Sequence, residues 1–527
     1  MTRSFPRRLL ATAVTAVLLA SGLAACTSGP SATLRVLAGS EVKDMAPILE
    51  EMQQETGIHL EFEYMGTLDG TEALIGGGAE LPWDATWFPS NRYLTLFPEG
   101  QDLIDQSQSI MRSPVVLGVK PAVAQRLGWS ATAPTWQEVV DAVDAGQIEY
   151  GMTSPIASNS GFITLVQAAT ALSGTGTVLT DADIDAVTPA LKEFASGQSL
   201  ASGSSGWLAD RFVEDSRSAD AIFNYESVLR GLTIDGQSLD IVIPSDGAIT
   251  SDYPLTLLTS ADEKAKESYA TVVEYLQRPE TQDRIAELTL RRTSTTAPTD
   301  AATVFELPFP ARLQTVQKLL QTWVATLRKP ANMVFAIDTS GSMAEGDRMA
   351  ELHDALEVLS GSATSTSAGF LTLQPREQIS YLEFAGEVKS RLTVTIPEDA
   401  AGYADALARI NAQLDDYWPE GGTAIFDTVA LALSEAAASA GSDRISSVVV
   451  FSDGQNTNGA SYDDFERWYR DFLPANENAT GIPVHVVLFA AANDGEMAAL
   501  AELTGGRVFD ARDANLASVF REIRGYL

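Results

Sequence analysis

The run Met333-Val-Phe-Ala-Ile-Asp338-Thr-Ser-Gly-Ser-Met343 constrains this chain more than any other stretch. Five consecutive apolar residues lead up to Asp338 with nothing polar among them, the pattern of a strand buried on both faces of a parallel sheet. Open α/β sheets hold their ligands at the carboxyl ends of such strands. There Asp338, Ser340 and Ser342 alternate, so a single turn can aim three oxygens at one point. Clustered oxygens are what a hard cation requires. Asp338 and Ser340 would equally serve to cap a helix beginning near Asp347.

Two later stretches add to this cup. Glu420-Gly-Gly-Thr-Ala-Ile-Phe-Asp427 places Thr423 in a glycine-opened loop before an apolar helix, and Ser447 to Ser452 is a second apolar strand that ends at Asp453-Gly454. Asp-x-Ser-x-Ser, a lone Thr after two glycines, and Asp-Gly after a strand, in that order, resemble the metal-ion-dependent adhesion site of von Willebrand factor type A domains. The resemblance covers about residues 310 to 527. It implies magnesium, or manganese or calcium, held by Asp338, Ser340, Ser342, Thr423 and Asp453. Magnesium keeps near-octahedral oxygen coordination and dehydrates reluctantly. Hydroxyls of Ser340, Ser342 and Thr423 would then bind directly while Asp338 and Asp453 hold waters. One position would be left for an acidic group on a protein or surface ligand, as the family binds its partners.

At the other end, Arg3, Arg7 and Arg8 precede the apolar run Leu9 to Ala20, and Leu23-Ala-Ala-Cys26 closes it. A basic start, a short apolar stretch and small residues before a cleavage point make residues 1–25 a targeting segment. Leu-Ala-Ala-Cys also resembles the lipobox of bacterial lipoproteins, which implies that Cys26 is acylated and tethers the chain to the outer face of a cell membrane through the flexible residues 26–33. Cys26 is the single cysteine, so no disulfide can form within the chain.

Acidic residues outnumber basic ones 70 to 35, for a net charge of −35. Such a surface repels nucleic acid and anionic headgroups. With 45% hydrophobic residues over 527 positions the chain is nonetheless globular, with more than one domain.

Strand-helix-strand patterning at Leu34–Ala38, Glu41–Glu55 and Ile58–Tyr64, then a strand at Ala85–Phe88, predicts a parallel lobe. Apolar strands at Val115–Val119 and Tyr253–Leu258 bracket a middle section that contains helices at 136–145, 161–172, 181–196 and 207–217 and strands at 221–223 and 240–244. Two lobes joined by two crossing strands, together with the stretches Tyr150 to Phe162 and Phe223-Asn-Tyr-Glu-Ser227, resemble extracytoplasmic solute-binding proteins of type 2. This implies a small polar solute in an interlobe cleft. Candidate contacts are Ser40, Thr67 and Ser90 after strands, Ser158, Asn159 and Ser160 at a helix N-terminus, and Asn224, Tyr225 and Glu226 in a loop after a strand. Helix capping explains the Ser158–Ser160 group and Ser40 as readily.

Residues 34–295 thus form a two-lobed domain, 296–330 a linker and connecting helix, and 331–527 a doubly wound, Rossmann-like type A domain. Its strands are expected near 332–337, 378–384, 390–396, 446–452, 483–489 and 507–509, with helices near 347–360, 400–414, 424–440, 461–472, 495–503 and 514–524. His59, His353 and His485 are scattered and lack a neighbouring nucleophile signature, so the residues point to a binding protein rather than an enzyme. Its role would be metal-dependent engagement of a surface partner, or alternatively delivery of a solute to a transport system.

Overall fold

The computed structural model describes residues 32–527 apart from 79–80, 295, 297–300, 362–369, 371, 442, 490–493, 512–518, 520–522 and 525–527. The targeting segment, Cys26 and all but the end of the tether lie outside the described residues, as does most of the helix expected at 514–524.

Among the described residues the N-terminal half forms two main sheets and a two-stranded one, Thr233–Ile234 with Gln237–Ser238. In lobe one, Ile58–Tyr64, Ala32–Ala38 and Ala85–Trp87 lie side by side in parallel, and Pro254–Leu258 joins antiparallel between Ala85–Trp87 and Ile104–Ser109. In lobe two the order is Asp240–Val242, Ser113–Val119, Ala221–Tyr225, Tyr150–Thr153, Gln198–Ser202. The chain passes between lobes at 110–112 and 252–253, the two expected crossings. A third pass follows, where Arg112 and Arg292 exchange backbone hydrogen bonds of 2.7 and 2.9 Å.

The helix expected from Gly161 begins two residues earlier, at Asn159, and runs to Leu172. It is buried on nearly every side, as a helix apolar all round must be. Asn224 and Tyr225, expected in a loop, are the last two residues of the strand Ala221–Tyr225, and Glu226 opens the helix behind it.

The C-terminal sheet has six strands in the order Val388–Thr395, Gln378–Phe384, Ala331–Asp338, Ile445–Ser452, Val484–Leu488, Val508–Asp510. Only the first pair is antiparallel. Met333, Phe335 and Ile337 point to one face, where Leu352 and Leu356 of the helix Arg348–Leu359 and Ile410 of the helix Ala400–Asp415 cover them. Val334 and Ala336 point to the other, beneath Val429 and Leu433 of the helix Ile425–Ser439. This period-2 division explains why the central strand reads as continuously apolar.

The connecting helix Leu313–Thr322 and the π-turn Trp323–Leu327 bury Val316, Leu319, Leu320, Trp323, Val324 and Leu327 in the core of the two-lobed domain. Thr315 Oγ1 donates to Asp181 at 2.6 Å. Lobe two also meets the C-terminal domain through the helix Ser205–Glu214: the Trp207 ring lies near the guanidinium groups of Arg211 and Arg507. Gly505 beside it takes φ +73°, a conformation that favours glycine, and a Cβ there would meet the Arg211 guanidinium, which would have to move.

Candidate metal centre and interlobe cleft

Parallel pairing of Ala331–Asp338 with Ile445–Ser452 brings the ends of both strands to the same edge of the sheet. Asp338 is fully buried there. Its Oδ1 accepts the Ser340 N–H at 2.8 Å and its Oδ2 the Ser452 hydroxyl at 2.5 Å. Ser340 Oγ and Ser342 Oγ are 3.2 Å apart. Arg348 Nη1 donates to the Ser342 carbonyl at 2.8 Å and lies 3.3 Å from Asp453 Oδ2, drawing Asp453 to the same turn.

Thr423 arrives on a separate loop held by backbone bonds. Gly341 N–H donates to the Gly421 carbonyl at 3.0 Å and Glu420 N–H to Thr339 O at 2.8 Å. Thr423 N–H donates to Thr457 Oγ1 at 2.8 Å, and its carbonyl accepts from Thr457 and Asn458 N–H. Gly421 takes φ +79°, a conformation that favours glycine and explains the first of the two glycines before Thr423.

This donor set suits a divalent cation. Burial pushes the Asp338 carboxyl up to about 6, against its hydrogen bonds from Ser340 and Ser452, and Asp453 nearby adds repulsion. Two acidic groups beside two neighbouring hydroxyls form a pocket of negative charge that a hard cation would neutralise. Asp338, Ser340, Ser342, Thr423 and Asp453 are the residues that would hold it. Arg348, Ser452 and Thr457 escaped the sequence reading. Ser452 could have been noticed as the last residue of the strand before Asp453; Arg348 carries no local signal.

In the two-lobed domain the polar candidates largely satisfy one another. Asn159 Nδ2 donates to Tyr225 OH at 3.0 Å and Ser251 Oγ at 3.2 Å, while Ser160 Oγ bonds Thr153 Oγ1 at 2.8 Å and Ser158 Oγ at 3.2 Å. Ser158 occupies the N-cap position but makes no side-chain cap bond. Asn224 is tied to Ser205 O at 2.8 Å and to its neighbour's N–H. Glu226 is buried between Arg230, at 2.9 Å, and Arg292, at 2.7 Å, and so anchors the third crossing. Ser90 Oγ accepts the Arg92 N–H, Thr67 opens the helix Thr67–Gly76, and Ser40 is exposed in its turn.

The lobes touch elsewhere. Gly66 of lobe one approaches Ala157 of lobe two so closely that a Cβ would lie 2.5 Å from the Ala157 carbonyl oxygen. Ser205 Oγ donates to Glu41 Oε1 across the cleft at 3.1 Å. Glu41 is walled in enough that its carboxyl titrates above the usual range, chiefly through burial. Neither Glu41 nor Ser205 was singled out from the sequence, since each looks like an ordinary helix-start residue.

Residues 34–287 match the family described as bacterial extracellular solute-binding protein, and residues 333–455 match the von Willebrand factor type A domain. The chain therefore carries an extracellular solute-binding domain over residues 34–287, followed by a von Willebrand factor type A domain over residues 333–455. Similar solved structures include the periplasmic binding protein P5PA (14% identity, TM-score 0.43, covering 56% of this chain and 100% of that one). AfuA from Actinobacillus pleuropneumoniae, with fructose-6-phosphate bound, gives 14%, 0.42, 56% and 98%. A periplasmic thiamin binding protein gives 11%, 0.44, 55% and 95%. Likenesses this distant say nothing about what this chain binds. No curated protein matches the sequence. Among the described residues no helix is long and apolar enough to cross a membrane.

Proposed function

We propose that this is a lipid-anchored, extracytoplasmic binding protein whose C-terminal domain grips an acidic group on a protein or surface ligand through a divalent cation, with magnesium the first choice. The observation that supports this most is the gathering of Asp338, Ser340, Ser342 and Asp453 at one sheet edge, with the Thr423 loop bonded onto it. The cation would supply a positive charge that these residues orient but do not cancel. Asp338, fixed by Ser340 and Ser452, would position water; the serine hydroxyls would offer neutral oxygens; Thr423, from its own loop, would close the site when a partner engages. Acylation of Cys26 would hold the chain at the membrane, because two or more lipid chains give the two signals that stable anchoring needs.

Isothermal titration of magnesium into the chain from residue 32 onward tests the reading. Asp338→Ala or Asp453→Ala should each weaken binding by roughly 10- to 100-fold, as loss of an outer-sphere partner does. Unchanged affinity in Asp338→Ala would remove the metal-bridged mechanism.

A second reading, a solute receptor of a transport system, is favoured by the Glu41 carboxyl bonded across the cleft to Ser205. A solute whose thermal shift survives Glu41→Gln together with Ser205→Ala would place its site elsewhere.

A further inference from the structure

Trp418 is 72% exposed, more than any other large apolar side chain among the described residues. It sits on the same loop as Thr423, and that loop is not free. Lys389 Nζ donates to the Trp418 carbonyl at 2.8 Å and also reaches Thr339 Oγ1 at 3.2 Å, the residue between Asp338 and Ser340. The Glu420 and Gly421 backbone bonds to Thr339 and Gly341 follow directly. The fold thus fixes the backbone under an indole, beside the candidate metal residues, and leaves the ring in water.

Exposing an indole costs hydration free energy, and a rigidly presented Trp is the residue type that most often anchors a binding interface. The charges around it narrow the occupant. The exposed carboxylates of Glu345 and Glu420 flank the site on two segments. The nearby cations are already engaged, Arg348 with Asp453 and Glu345, Lys389 with Glu383 at 3.3 Å and Glu420 at 3.7 Å, and both Glu345 and Glu420 stay largely exposed in these pairs. A run of acidic residues would therefore be repelled at the rim, although one carboxylate is wanted at the centre.

We infer that the metal edge and Trp418 form one interaction surface for an extended protein segment that carries a single acidic side chain, an aromatic or branched aliphatic residue within a few positions of it, and a basic residue nearby. This rests on the metal-bridged reading above. Trp418 would take the apolar side chain, the centre the carboxylate, and Glu345 or Glu420 the basic group.

A display library of eleven-residue peptides with one fixed central Glu, selected in magnesium on the chain from residue 32 onward, supplies the probe; a matching library with fixed Gln is the control. Enriched peptides should carry an apolar residue within about four positions of the Glu, and few further acids. For such a peptide Trp418→Ala should cost roughly 10- to 30-fold in affinity, Trp418→Phe should restore part of it, and magnesium affinity should stay unchanged. Binding should also shield the Trp418 fluorescence from acrylamide. Glutamate- and magnesium-dependent peptides without an apolar preference, or equal binding by Trp418→Ala, would overturn the Trp418 surface while the metal reading stands. Wild-type self-association lost in Trp418→Ala would overturn it too, by assigning the ring to a second copy. Enrichment indifferent to EDTA, or equal from the Gln library, would sink the metal-bridged reading and this surface with it.

Discussion

Two buried carboxylates stand at opposite ends of neighbouring strands in the C-terminal sheet, and their surroundings could hardly differ more. Glu377, just before the strand Gln378–Phe384, accepts two bonds of 3.0 Å from Arg524 Nη1, a contact from Arg328 and the Gln374 N–H at 2.8 Å. The two guanidinium groups outweigh burial and hold its carboxyl below the usual range. Asp338, at the carboxyl end of the neighbouring strand, has neutral donors on both oxygens and a second carboxylate nearby, and its carboxyl rises. The first group is a clamp between the entry of the domain and its last described helix residues. The second is a charge that the fold leaves short of compensation, which is the condition under which a site attracts a cation.

The sharpest break of this comparison is Glu377→Gln. It removes the buried carboxylate that Arg328 and Arg524 share and should cost about 3–5 kcal/mol of stability, read as a large fall in the urea midpoint. If the midpoint stays put, Glu377 is not a clamp. The same pairing sets a pH window. A depressed carboxylate contributes stability above its unfolded pKa, about 4.5, and loses it as pH falls through the lower folded value. Acid unfolding of the wild type should therefore steepen below about pH 4.5, and that component should vanish in Glu377→Gln.

Asn159→Ala should come next, at about 1–3 kcal/mol, because it leaves Tyr225 OH and Ser251 Oγ buried without their donor. The outcome separates a structural network from a solute contact: an unchanged melting temperature with a lost solute shift would return Asn159 to the cleft.

Asp338→Asn should do the reverse of Glu377→Gln. Measured in chelator, it should cost no stability, since it removes a desolvated charge, while magnesium affinity falls by roughly 10- to 100-fold. A large destabilisation in chelator would make Asp338 a second clamp.

Ser342→Ala is the smallest change, within about 0.5 kcal/mol in stability because the side chain is only half-buried. It should still weaken magnesium binding measurably. No effect on either would drop Ser342 from the donor set.

The strand Ala331–Asp338, the strand Ile445–Ser452 and the alternation at Asp338, Ser340 and Ser342 were legible in the sequence because they depend on local periodicity and on residues two apart. Thr423 was legible only as a motif in a glycine-opened loop; its place beside Gly341 is set by backbone bonds from another part of the chain. The cleft candidates were likewise legible only as a local pattern. Ser158, Asn159, Ser160, Asn224 and Glu226 are polar residues at strand ends and helix starts, where ligands are held, and the partners they bond within the fold lie up to 92 positions away.

The sequence missed the strands Ile104–Ser109, Tyr150–Thr153 and Gln198–Ser202, but by itself it determined the six strands of the C-terminal sheet, the burial of the central strand on both faces, and the oxygen donors that follow that strand. These are consequences of side-chain hydrophobicity and short-range backbone geometry. The tertiary structure alone decided which buried charge is compensated, Glu377 by an arginine 147 residues away and Asp338 by none of comparable strength. It also decided that Trp418 stands in water while the backbone beneath it is fixed. Electrostatic compensation and solvent exposure are sums over neighbours in space, and a linear sequence does not list those neighbours.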